Sequence, residues 1–90
     1  MSLYLVAYDL EATGLNLDCL SQKLEALGNY WRMQPSVWLV AWPGNAIGLA
    51  NHLEFCLDDN DEVFVTKLTA DSAWSYDNDA TAWLRSNILK

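Results

Sequence analysis

Positive charge is scarce in this sequence. Five basic residues, Lys23, Arg32, Lys67, Arg85 and Lys90, stand against twelve acidic ones, for a formal net charge of −7. They are scattered and form no basic run. Affinity for nucleic acid rests largely on Lys and Arg neutralising phosphates, so tight, sequence-blind binding is not expected, although a small local site is still allowed. The acidic excess serves solubility. There is one histidine, His52, and there are two cysteines, Cys19 and Cys56, which match no CxxC or Cys/His metal spacing. Two reduced, half-buried thiols in a cytosolic protein are the expectation. Long apolar runs are also missing. The N-terminal one stops at Asp9, too short for a signal peptide or a membrane span, and no basic segment precedes it. A cytoplasmic protein without a membrane partner is therefore expected. Internal repeats and low-complexity segments are absent as well.

What is present is apolar bulk. Ninety residues make one domain, and 52% of them are hydrophobic, five of them Trp. A chain this small buries roughly 60–70% of the surface its unfolded form exposes, so its own core is marginal. Either that core is dense or part of the apolar surface lies against a second chain.

Leu3 to Tyr8 reads as a first strand, rich in Val, Leu and Tyr and closed by polar residues. Glu11 to Asn16 reads as a loop punctuated by Gly14. Leu17, Leu20, Leu24 and Leu27 then line one face of a helix, with Asn16 as its cap and Gly28 in the left-handed position beyond its end. Pro35 cannot donate to a ladder, so it divides strand two (about Tyr30 to Met33) from strand three (about Ser36 to Ala41). Pro43 to Asn45 turns the chain, and Asn45 caps a second helix carrying Ala46, Leu49, Ala50, Leu53, Cys56 and Leu57 on one face. Asp58 to Asp61 is a turn and Glu62 to Leu68 a fourth strand. A polar loop, Thr69 to Asp79, leads to a short helix from about Ala80 to Leu89, with Ala80, Trp83, Leu84 and Ile88 on one side. The fold class is α+β: a ferredoxin-like βαββαβ order with an extra C-terminal helix.

Alternate side chains of a strand point to opposite faces. Strand one offers Leu3, Leu5 and Ala7 to one face and Tyr4, Val6 and Tyr8 to the other; strand three offers Val37, Leu39 and Ala41 against Trp38, Val40 and Trp42. Two helices on a single side cover one set only. The set with the two Trp is expected to stay uncovered and to exceed the few hundred Å² a monomer tolerates. The C-terminal helix covers part of it or, the favoured expectation, a second copy does, giving a sheet-mediated homodimer.

The stretch Tyr4–Leu10, a helix closed by Gly28, and Met33–Val40 together resemble the Cas-two family of CRISPR-associated adaptation proteins. They also resemble its VapD-type ribonuclease and SinR-like stand-alone relatives. The matching motifs are Tyr8-Asp9 at the end of strand one, Gly28 after helix one, and Gln34-Pro35-Ser36-Val37-Trp38 opening strand three. The Asp-led run Asp58–Val65 fits the fourth strand, so the likeness spans roughly Leu3 to Leu68. Trp74 and Trp83 look closer to the SinR-like branch. The resemblance implies a ferredoxin-like homodimer in which the Asp9 carboxylates of two copies face each other and hold a divalent metal, Mg²⁺. Mg²⁺ keeps several waters and takes one or two protein carboxylates. It would lower the pKa of a bound water and stabilise a phosphodiester under attack, which makes Asp9 the candidate metal ligand and catalytic residue of an endoribonuclease. Tyr8, Gln34, Ser36 and Trp38 are the implied structural or interface residues, with Gln34 and Ser36 bonding across the interface or serving the turn alone. Family nucleases commonly carry basic residues after the Asp; here none precedes Lys23, and Glu11 adds a negative charge.

Plainer readings stand beside these. For Asp9 the favoured plain reading is a strand-end residue whose carboxylate accepts backbone N–H bonds from the following loop. Asp58, Asp59 and Asp61 lack EF-hand spacing and read as a solvated turn. His52 reads as a surface or capping residue. Trp31, Trp38 and Trp42 could stack bases, but without basic neighbours beyond Arg32 they read as core and interface. The competing function is a non-catalytic dimeric adaptor whose acidic surface binds a protein partner, in place of the RNA that a nuclease would take. A small-molecule sensor is a third class, with no motif behind it.

Overall fold

Runs rich in β-branched and aromatic residues pleat well, and runs with leucine at helical spacing coil. The computed structural model follows that division. It describes residues 1–10 and 14–88, the side chains of 14 and 15 excepted. In chain order come β1 (Ser2–Asp9), α1 (Gly14–Glu25), β2 (Tyr30–Gln34), β3 (Val37–Trp42), α2 (Ala46–Glu54), β4 (Glu62–Lys67) and α3 (Asn78–Ile88). The strands form one antiparallel sheet in the order β2-β3-β1-β4, which makes an α+β unit with β1 and β3 innermost. No helix among the described residues is long and apolar enough to cross a membrane.

Helix ends explain most departures from the expected boundaries. α1 begins at Gly14, so Asn16 lies inside the helix and is not its cap. Its side-chain amide instead donates to Asp58 Oδ2 and Asp61 Oδ2, both at 2.9 Å. The expected loop at Glu11 to Asn16 is thus helical from Gly14, while Glu11, Ala12 and Thr13 lie outside the described residues. Gly28 has φ +90°, the left-handed geometry anticipated after α1. Asn45 does cap α2, its Oδ1 accepting from Gly48 N at 2.8 Å. That helix stops at Glu54, so Cys56 and Leu57 lie beyond its end. α3 starts at Asn78 because Asp77 Oδ1 accepts from Ala80 N at 2.9 Å, a cap that draws the helix back into the expected loop. Leu89, its expected last residue, lies outside the described residues.

The two faces are covered in the reverse of the expected sense. Tyr4, Val6 and Tyr8 of β1 and Trp38 and Val40 of β3 pack beneath Leu20 and Leu24 of α1 and Leu49 and Leu53 of α2. Trp42 sits at the margin of this layer. The tryptophan-bearing side is therefore the one the long helices shield. The bulkier side-chain set needs the larger cover, and two helices supply it. On the opposite side Leu3 and Leu39 are closed off by Leu84 of α3, with Trp31, Met33, Leu68, Trp74, Trp83 and Ile88 around them. Cover is incomplete toward β4, where Phe64 is 64% exposed.

A disulfide joins Cys19 to Cys56, with Cα atoms 5.6 Å apart. This corrects the expectation of two reduced thiols. Their separation of 37 positions hides the fact that α1 and the end of α2 lie on the same side of the sheet. Closing a loop of that length removes roughly 3–4 kcal/mol of unfolded-state entropy. Replacing both cysteines with Ser is expected to lower unfolding free energy by up to about that amount, measured as a shift in the urea midpoint. A thiol titration of the unreduced protein under denaturing conditions should find no free thiol.

Candidate functional site at the end of the first strand

Asp9 ends an inner strand. The register pairs Ala7 with Val37 on one side and Asp9 with Glu62 on the other, which sets Asp9 between the β2–β3 turn and the start of β4. Tyr8 points into the core beneath α1 and α2, so alternation turns Asp9 to the opposite, incompletely covered side. Its carboxylate is exposed there, as is that of Glu62. Like charges directly opposed across strands repel. A divalent cation between them would relieve that repulsion, and two carboxylates suit the hard, water-keeping Mg²⁺. The residues present therefore fit such an ion by donor type. Among the described residues no group of three or more His, Cys, Asp or Glu side chains gathers in a way that could hold a metal.

Tyr8 and Trp38 are joined inside one protomer. Trp38 Nε1 donates to the Tyr8 hydroxyl at 3.0 Å, and that hydroxyl donates to the Pro35 carbonyl, also at 3.0 Å. The same carbonyl accepts from Arg32 Nε at 3.1 Å and from Arg32 Nη2 at 2.7 Å. The Arg32 guanidinium lies 5.3 Å from the Trp38 ring, a cation–π contact, and Tyr8 N donates to the Ser36 carbonyl at 3.1 Å. The β2–β3 turn is thereby tied to the end of β1, directly before Asp9. Gln34 and Ser36 are exposed at this turn, and the register shifts between Arg32 and Gln34.

The remaining sequence candidates are dispersed. His52 stacks on Trp42 with ring centroids 5.3 Å apart, and Trp42 pairs with Ser2 at the other end of β1. Lys23 lies over the exposed Phe55 ring, 5.4 Å from its centroid. Lys67 pairs with Tyr4, at the far end of β4 from Glu62. The Asp58–Asp61 turn is closed by Asp58 N donating to Asp61 Oδ2 at 2.9 Å and by Asn16, so it is an ordered turn. The charged neighbour set opposite Asp9 is Glu62, whereas Arg32 lies over the Trp38 ring on the other side of the sheet. Glu11, expected to add a negative charge, lies outside the described residues.

Sequence reasoning missed the Pro35 carbonyl as a shared acceptor, because backbone acceptors leave no trace in residue type. It also missed the disulfide, and the contribution of Trp74 and Tyr76 from a segment read as polar. Two aromatic residues in so polar a stretch were the available signal. A comparison with models of known protein families finds none that matches this chain, and a search of curated proteins finds no match either.

Tyr8→Phe keeps the ring but removes the acceptor for the buried Trp38 N–H. It is expected to cost about 1–3 kcal/mol, since a buried donor left without a partner loses its desolvation energy. Chemical denaturation of the variant checks the value, and a change below a few tenths would show the hydroxyl to be dispensable.

Proposed function

We propose that this chain is a Cas-two/VapD-like protein of the ferredoxin-like type. In this reading it acts as a homodimer with a Mg²⁺-dependent endoribonuclease site at paired Asp9 residues. The element order and the β2-β3-β1-β4 arrangement support the ferredoxin-like reading, since a hairpin-linked strand lies between β1 and β2 as in a split βαβ unit. The observation that carries the functional reading is the exposed Asp9 carboxylate at the end of an inner strand, held in register against Glu62. The open area beside it, marked by Phe64, supports a second copy approaching from that side.

In such a site the Asp9 carboxylates of the two copies would hold the cation, with Glu62 opposite Asp9 in the sheet. The Tyr8–Pro35–Trp38 contacts keep the end of β1 from shifting. When bound there, Mg²⁺ would acidify a water and neutralise charge on the phosphodiester. A cytoplasmic location belongs to the same reading and requires the Cys19–Cys56 pair to face a reducing thiol pool.

The negative charge around Asp9 favours a second reading, a non-catalytic dimeric adaptor for a protein partner. Purified protein and an Asp9→Ala variant, incubated with end-labelled RNA and Mg²⁺ or Mn²⁺, separate the two. Cleavage is expected from the parent, with a loss of at least about 100-fold in the variant, the scale on which acid–base and metal groups act. Equal cleavage by both proteins overturns the catalytic role. Absence of cleavage by a protein that light scattering shows to be dimeric leaves the adaptor as the surviving function.

A further inference from the structure

On the β2 edge of the sheet, away from Asp9, lies a pocket of about 350 Å³. Tyr30 and Trp31 of β2, Tyr76 and Asp77 of the loop before α3, and Asp79 and Trp83 of α3 bound it. That volume is at the small end of ligand sites, which run from about 300 to 1,000 Å³. We propose that this pocket binds an alkylated ammonium head, free as in choline or carried on a methylated lysine side chain.

Ring geometry is the first support. Trp31 and Tyr76 stand with centroids 5.0 Å apart and planes inclined at 79°; Trp31 and Trp83 are 5.9 Å apart at 61°. Rings set so steeply form a corner, not a flat floor, and aromatic faces carry the negative end of the ring quadrupole. Tyr30 turns its own ring to Trp38, 5.4 Å away, leaving three rings as walls. Tyr76 is 40% exposed, so the site is accessible from solvent.

Charge is the second support. Asp77 and Asp79 border the pocket, and among the described residues no Lys or Arg does. Asp77 is fixed in place by its bond to Ala80 N. Two carboxylates beside aromatic faces repel phosphates and carboxylates and attract cations. A bare metal ion would lose its water shell against rings that cannot replace it, and two carboxylates alone would have to compensate. An alkylated ammonium carries its charge on a weakly hydrated, apolar shell that suits both kinds of wall.

Choline, a peptide containing trimethyllysine, and the neutral isostere of choline with tert-butyl in place of trimethylammonium are titrated into the full chain. Indole N–H resonances provide the readout. Saturable shifts are expected with either cationic probe, and the neutral isostere should bind at least about five-fold more weakly, the scale of a partly desolvated cation–π contact. The stronger of the two cationic probes tells whether the head is presented free or by a protein. Tyr76→Ala, at an exposed loop position, is expected to weaken binding about three-fold or more. The double variant Asp77→Asn/Asp79→Asn removes both charges while Asn keeps the helix cap, and it should weaken binding likewise. Circular dichroism confirms that each variant is folded. Absence of saturable shifts with both cationic probes overturns the proposal, as does equal affinity for the neutral isostere or unchanged binding by folded variants.

Discussion

Val6 and Val40 are sealed from solvent on one side of the sheet, Leu3 and Leu39 on the other. An inner pair of strands that is apolar in both directions needs two covers, and one four-stranded sheet with two helices provides a single one. The C-terminal segment is the chain's answer. Trp74, Trp83, Leu84 and Ile88 close much of the second side, although α3 is only eleven residues long. The cost of exposing such surface, about 25 cal/mol per Å² of apolar area, sets how strongly this arrangement is held.

The same constraint shapes what is left open. Cover from α3 is concentrated near Leu3 and Leu39, so the side of the sheet toward Phe64 and Asp9 stays accessible. A carboxylate reaches solvent there while resting on a rigid strand. The turn beside it is fixed by three hydrogen bonds from Tyr8 and Arg32 to the Pro35 carbonyl, with Trp38 holding the Tyr8 hydroxyl, so the backbone under Asp9 is tied to the core. Arg32 contributes to this rigidity from the side of the sheet that carries Trp38.

Much of the fold was legible from residue patterns. Leucine spacing predicts α1, Pro35 marks the break between β2 and β3, Gly28 takes its left-handed position and Asn45 caps α2. Asn16 shows where local reading fails. Asparagine is a good cap anywhere near a helix start, but the helix begins earlier, at Gly14, and the Asn16 amide donates to Asp58 and Asp61 instead. The face assignment failed for a related reason. Alternation says which residues share a side, but not which side the helices choose. The position of Asp9 at the mouth of β1 was legible; its opposition to Glu62 depends on strand register.

The order of elements, the two apolar sets on each inner strand and the acidic balance were therefore determined by the sequence alone, because periodicity and charge are local properties. Tertiary structure decided which set meets α1 and α2, that Cys19 meets Cys56, and that Trp31, Tyr76 and Trp83 come together at one edge. Each of those outcomes joins residues distant along the chain. It is settled by how volumes fill space on either side of the sheet, which no short stretch of sequence encodes.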